Sequence, residues 1–296
     1  MSTMRAVVMD APGAPEVLRV AEVPRPTRAS AEFIVKVCAA GVNPIDAKTR
    51  AGRGVSGAIS SWPSILGNDF SGVVVESPYD AHPIKVGDEV YGMSMVPRLP
   101  GTYAEFAAVP AMSIARKPKA LSHVEAAGVP LAALTAWGAV VDVARAREGQ
   151  RVLVHAGAGG VGHFAIQFAS FFGAHVVATG STRNLEWMRE LGANEVIDHT
   201  QTRFEDDMDP VDTVIDLIGN TVDDVGTRSL QVLKPGGLIV NLPSGSWPTL
   251  ADDAASAGVR ASGFSVSPDG TTLAVISRLI DSGDIRVFVD QVFDLA

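Results

Sequence analysis

Ahead of Leu121 the apolar positions come in short Val/Ile-rich runs. "MRAVVMD", "LRVAEVPRP", "EFIVKVCAAGV", "SGVVVESP", "VGDEVYGM" and "GTYAEFAAVP" are separated by Pro, Gly and Asp, the punctuation of strands and turns. None has the sustained period of a long helix. The pattern changes near Leu121. "LSHVEAAGVPLAALTAWGAVVDVA" is Ala- and Leu-rich, with Ser122 as an N-cap and Glu125 in the capping-box position. It predicts a helix broken or kinked at Pro130. Beyond it strands and helices alternate: "RVLVHAG" then "GVGHFAIQFASFFG", "HVVATG" then "TRNLEWMRELG", strands "EVID" and "VDTVIDLIG", helix "VGTRSLQVLKPGG", strands "LIVNLPS" and "VRASGFSV". Near-continuous apolar strands linked by helices predict an α/β fold, a doubly wound parallel sheet covered on both faces. After Pro268, "TTLAVISRLIDSG" reads as an amphipathic helix and "IRVFVDQVF" as a strand.

The strand–helix junction "RVLVHAGAGGVGHFAIQFA" supplies Gly157, Gly159, Gly160, Val161 and Gly162 in a GxGxxG turn. Gly157 allows the tight turn, Gly159 lets backbone approach a pyrophosphate, and Gly162 lets the helix pack close to the strand. A diphosphate then sits at the helix N-terminus, where free N–H groups and the dipole favour anions. The end of the second strand, about 20 residues on, decides which dinucleotide fits. An NAD site places Asp or Glu there; this chain reads Thr179-Gly180-Ser181-Thr182-Arg183-Asn184. Ser181 can donate to a 2′-phosphate and Arg183 can pair with it, so NADP(H) is the expected cofactor. The plainer reading makes Ser181 an N-cap and Arg183 a solvated first-turn residue.

Composition narrows the field. The 296 residues carry 24 Lys+Arg and 33 Asp+Glu, a formal charge of −9, with no basic cluster, so a nucleic-acid partner is not expected. No apolar run reaches the roughly 20 residues of a membrane span, and the N-terminus does not read as a signal peptide. One cysteine, Cys38, rules out an intramolecular disulfide and a Cys-rich zinc site, and fits a reducing, cytoplasmic setting. Cys38 lies in a strand pattern and reads as a small core residue. His82, His123, His155, His163, His175 and His199 have no ligand spacing, so no metal is expected.

Several segments together resemble the zinc-free quinone oxidoreductase branch of the medium-chain dehydrogenase/reductase superfamily: "AAGVNPIDAKTRAG", "GNDFSGVVV", "VGDEVYG", "GTYAEFAAVP", "AAGVPLAALTAW", "VLVHAGAGGVG", "LGANEVID" and "LKPGGLIV", in the family's order. The resemblance implies a GroES-like, β-rich catalytic domain over residues 1–121 and a Rossmann NADP(H)-binding domain over 122–265. It also implies a C-terminal segment, 266–296, that returns to the first domain and stops short of the family's usual last helix and strand. In the zinc-dependent alcohol dehydrogenases of the superfamily, a Cys and a His stand where this chain has Asn43 and Asn68, and two carboxamides cannot form that closed site.

A pocket without a Lewis acid suits a conjugated carbonyl or quinone, whose developing oxyanion needs only preorganised hydrogen-bond donors. The expectation is hydride transfer from NADPH to a quinone or α,β-unsaturated carbonyl. The alternatives are an enoyl-thioester reductase and an NADPH-binding sensor or structural protein. Asn43 is the candidate polar group by nicotinamide and substrate, or else a loop residue bonding its own backbone. Asp46 is a helix cap or a pocket residue. Lys48 is a solvated lysine, or a donor to the enolate that also protonates the product through water. By resemblance Thr135 approaches the nicotinamide; otherwise it makes an ordinary helix back-bond. His199 lies near the adenosine phosphate or on a surface loop, and His155 reads as a core strand residue. Backbone at Val240, Asn241 and Leu242, with Phe264 beside it, lines the nicotinamide site beyond the strand ends. The two-domain layout places the active site in the cleft between domains. The loops near 43–62, 93–100 and 244–268 form the substrate walls, with Trp62, Met93 and Trp247 as possible contacts. A homodimer through the edge strand "VRASGFSV" follows from the resemblance.

Overall fold

The computed structural model describes residues 2–97 and 100–295; Arg98 and Leu99 of the expected wall loop 93–100 lie outside the described residues. The chain divides into two compact units. The first runs to Leu134 and takes up Ser267–Gly283 and the chain from Val287 onward; the second is Thr135–Val266 with Asp284–Arg286.

In the first unit, Thr3–Met9 lies between Arg19–Pro24 and Ser64–Ile65 in a three-stranded antiparallel sheet. A five-stranded antiparallel sheet has the order Phe106–Pro110, Glu32–Gly41, Asp69–Glu76, Glu89–Met93, Ile114–Arg116. Phe33, Val35, Phe70, Val74, Val90 and Val109 form its buried core. The short helix His123–Ala127, begun by the Ser122/Glu125 capping box, packs on the strands Glu32–Gly41 and Asp69–Glu76. A Cβ at Gly41 would stand 2.4 Å from the Ala127 carbonyl, so this approach needs glycine. That packing keeps 122–134 with the first unit, past the expected boundary at 121. Pro130 opens a second helix, Pro130–Trp137, at the position where proline's missing N–H costs nothing.

The helix Gly270–Asp281 belongs to this unit as well. It packs on Ile114–Arg116, and the buried Tyr91 hydroxyl donates to the Leu273 carbonyl at 2.7 Å. The Ser277 hydroxyl lies 2.9 Å from Tyr91 Oη and 3.0 Å from the Arg116 carbonyl, and Ala120 N–H donates to the Asp281 carboxylate. The following segment, "IRVFVDQVF", is not a strand, a correction of the reading above. Its alternation is genuine, but a strand needs a ladder partner and no described strand pairs with it. Phe288, Val292 and Phe293 stand exposed. Cys38 is likewise exposed rather than a core residue: it falls on the outward phase of Glu32–Gly41.

The second unit is a six-stranded, all-parallel sheet in the order Glu195–Asp198, His175–Gly180, Arg151–Val154, Val211–Asp216, Leu233–Asn241, Arg260–Gly263. In sequence order this is 3-2-1-4-5-6, the Rossmann arrangement. Leu153, Val177, Val214 and Ile239 are fully buried in it, as continuous apolar strands require. Trp247, expected as a wall residue, is part of this core, and its indole N–H donates to Asp253 at 2.7 Å. Among the described residues no helix is long and apolar enough to cross a membrane.

Candidate active site

The glycine turn follows the central strand Arg151–Val154 and enters the helix Gly162–Phe171. The left-handed residue of the turn is Ala156, at φ +49°, and not Gly157. Gly157 is needed for packing instead: a Cβ there would lie 2.9 Å from Ile166 Cδ1 and from Met188 Sδ. At Gly162 a Cβ would stand 2.2 Å from the Ala156 carbonyl oxygen, so the helix reaches the turn only without a side chain. Gly159 and Gly160 are exposed, and nothing lies within 4 Å of a Cβ built on Gly160. The backbone N–H groups of Gly160 and Val161 donate to no described residue. Open space beside unpaired donors at a helix start suits a diphosphate.

His155, just before the turn, is buried with Nδ1 at 3.1 Å from Thr179 Oγ1 and Nε2 at 2.8 Å from Ser229 Oγ. Burial pushes its pKa down to about 4, so it is a neutral core residue, as its strand position suggests. Ser181 precedes a short turn, Thr182–Asn184, and its hydroxyl accepts from Asn184. Arg183 is exposed and makes no ion pair with a described residue. His199 is exposed, its N–H bonded to the Gly180 carbonyl. A carboxylate absent from the sequence reading stands nearby: Asp198, from the next strand, accepts from the Thr182 hydroxyl and from Thr200. Its two oxygens are thus already engaged.

At the end of Leu233–Asn241, the Leu242 N–H donates to the Asp216 carbonyl. Buried Asp216 also accepts from Ile218 N–H, Gly219 N–H and Asn241 Nδ2, pinning the loop that follows Val240. Phe264 lies on Gly138, where a Cβ would meet its ring at 2.0 Å. Thr135 is buried three residues earlier.

The first unit holds a different constellation. Asn43 caps the helix Pro44–Arg50, and its own N–H donates to Asp46 Oδ2 at 2.9 Å. Asp46 is therefore a cap, and also accepts from the Tyr103 hydroxyl at 3.1 Å. The Asn43 side chain completes the capping box with the Asp46 backbone and also reaches beyond its own helix. Its Nδ2 donates to Asp69 Oδ2 at 2.9 Å, while Asp69 Oδ1 accepts from Leu131 N–H at 3.0 Å. Asp69 opens the strand Asp69–Glu76 opposite Gly41, which leaves room for it. Burial pushes Asp69 up to about 8, against the hydrogen bond from Asn43; the charge of Asp46 pushes the same way. Burial likewise lifts Asp46 to about 6, against the Asn43 N–H and Tyr103 bonds. Near neutral pH this cluster therefore holds a proton. Lys48, two residues past Asp46 and so about 200° around the helix, is half-buried and makes no ion pair with a described residue. The sequence reading missed Asp69 as the partner of Asn43 and Tyr103 as a partner of Asp46. The one local signal was an acid heading the apolar run "DFSGVVV".

Zinc does not fit this donor set. Asn43 Nδ2 is a donor to Asp69, Asp46 is occupied by a backbone N–H and a phenol, and no Cys or His joins them. Among the described residues no three His, Cys, Asp or Glu side chains are gathered as metal ligands would be.

Two sheets of these topologies, an open glycine turn on one and an asparagine held by a buried acid on the other, describe a dehydrogenase-type nucleotide protein. Residues 29–119 match the family "Alcohol dehydrogenase GroES-like domain", and residues 191–296 match "Zinc-binding dehydrogenase". The latter span contains one histidine, His199, and no cysteine. The chain is 33% identical to the mitochondrial NAD(P)H oxidoreductase RTN4IP1 of Danio rerio, over 90% of this chain and 78% of the relative. It is 37% identical to the chloroplastic NADPH-dependent alkenal/one oxidoreductase of Arabidopsis thaliana, over 88% of this chain but 64% of that one. Among solved structures it is similar to the quinone oxidoreductase from Coxiella burnetii, with a TM-score of 0.92 and 37% identity, covering 99% of this chain and 92% of that one. The chain belongs to the medium-chain dehydrogenase/reductase family.

Proposed function

We propose that this chain is a zinc-independent, NADPH-dependent reductase of quinones or α,β-unsaturated carbonyls. The observation that carries the reading is the buried Asn43–Asp69 pair: a preorganised carboxamide backed by a proton-holding acid. Bound NADPH supplies a hydride to the conjugated system. The chain's own task is to bind the cofactor, receive the charge that builds on the carbonyl oxygen and return a proton. Backbone at Gly159, Gly160, Val161 and Gly162 holds the diphosphate, Ser181 and Arg183 the 2′-phosphate, and His199 the adenosine side. Thr135, Val240, Leu242 and Phe264 bound the nicotinamide. Asn43 donates to the developing oxyanion, with Asp46 fixing its backbone, and Lys48 delivers the proton through water. The names of the plant and bacterial relatives support the substrate class.

Two further parts of the reading are a homodimer through the edge strand Arg260–Gly263, which has one neighbour in its sheet, and a reducing, cytoplasmic compartment, which rests on the single thiol. Light scattering and cell fractionation test them. The central test mixes the protein with NADPH and a panel of enones, quinones and enoyl thioesters, following nicotinamide absorbance. Turnover on enones or quinones is expected. Tight NADPH binding with no turnover on any of them would remove the reductase reading, and turnover confined to thioesters would replace its substrate.

A further inference from the structure

The glycine turn contains a buried imidazole that the proposed reaction does not use. His163, second residue of the helix Gly162–Phe171, places Nδ1 at 3.0 Å from the Gly159 carbonyl oxygen. Its backbone N–H donates to the same oxygen, also at 3.0 Å. A carbonyl only accepts, so Nδ1 carries the proton and Nε2 carries a lone pair. Nε2 is buried with no hydrogen-bond partner among the described residues. Burial lowers the pKa of the ring, against the backbone of Gly159 and Gly160 beside it. Phe164 and Trp187 lie at centroid distances of 4.0 and 6.0 Å and hold it in place. An apolar ring would fill this space without leaving a buried acceptor unpaired, so packing alone does not account for a histidine.

The turn itself needs restraint. Gly159 and Gly160 flank one peptide unit, both lack a Cβ, and no neighbour lies within 4 Å of a Cβ on Gly160. Two adjacent glycines permit that unit to rotate. The unit is planar and trans, so its oxygen and its N–H point in opposite directions. Gripping the Gly159 oxygen from the helix side therefore turns the Gly160 N–H away from the helix. We propose that His163 is a positioning residue for the diphosphate: its two bonds to the Gly159 carbonyl lock the Gly159–Gly160 peptide so that the Gly160 N–H faces the anion. The assignment rests on the NADPH reading above.

The experiment uses the full chain and three ligands: NADPH, 2′-phospho-ADP-ribose, which keeps the diphosphate, and adenosine 2′-phosphate, which lacks it. His163→Phe keeps the ring and loses the donor; His163→Asn keeps a donor near the Nδ1 position. Calorimetry should show His163→Phe weakening both diphosphate ligands by roughly tenfold, the scale of one hydrogen bond to a charged group. Adenosine 2′-phosphate affinity should stay unchanged, and His163→Asn should recover most of the loss. In turnover, KM for NADPH should rise while kcat at saturation holds. An equal loss for all three ligands, or no loss for NADPH, overturns the proposal. Nitrogen NMR of the wild-type protein needs no variant to fold: a neutral ring protonated at Nδ1 supports it, and protonation at Nε2 alone overturns it. A wild-type chain that ignores NADPH would be read before any variant and would fail the parent reading itself.

Discussion

The glycine turn and the Asn43–Asp69 cluster use opposite materials. The turn works by leaving side chains out: Gly157 and Gly162 admit the helix, and Gly159 and Gly160 leave backbone bare. The cluster works by crowding polar groups together at low exposure, where Asn43, Asp46, Asp69 and Tyr103 satisfy one another. A phosphate ester keeps its charge through the reaction, so fixed backbone dipoles suit it. A reacting carbonyl changes charge, so it needs donors whose desolvation raises their strength.

This contrast can be broken in order of size. Gly162→Ala should cost about 3 kcal/mol of stability, because the Ala156 carbonyl 2.2 Å away is backbone and cannot swing aside. Gly160→Ala should leave the melting temperature within a degree or two of wild type and weaken NADPH binding only; equal melting losses would refute the assigned roles. Asn43→Leu should lower kcat by about 10²-fold, or roughly 2.7 kcal/mol of barrier, with an unchanged circular dichroism spectrum.

Asp69 gives a pH signature. Its folded pKa, about 8, lies above the ordinary carboxyl value of 3.8, so between those pH values the folded chain holds a proton that the unfolded chain has lost. Unfolding there releases the proton, and stability falls as pH rises, by up to about 1.4 kcal/mol per pH unit. Asp69→Asn should flatten that slope in urea titrations at pH 5 to 8, and an unaltered slope counts against the buried acid. Arg183→Ala should reduce the preference for NADPH over NADH by about tenfold. A preference that survives would move the 2′-phosphate elsewhere. The smallest effect belongs to exposed Cys38: Cys38→Ser should stay within about 0.5 kcal/mol of wild type.

Legibility followed the same contrast. The four inner parallel strands are readable because they are largely apolar and buried, and the glycine turn because its members are contiguous. The cluster spans Asn43 to Leu131 and is assembled by sheet register, Gly41 opposite Asp69, which no local pattern announces. Alternation misled at "IRVFVDQVF", because a strand is defined by its partner as much as by its own residues. Trp247 shows the converse: an aromatic in a loop-like segment, "SGSWPTL", joins the buried cluster that holds Val214 and Ile239.

The way the first unit is closed has a consequence for synthesis. Tyr91 waits for the Leu273 carbonyl and Ser277, and the strand Ile114–Arg116 waits for the helix Gly270–Asp281. On the ribosome those residues emerge after every strand of the parallel sheet has been made. The part of the protein that is born first is therefore finished last, and a nascent chain paused before residue 270 would present an unsealed face of that unit to chaperones.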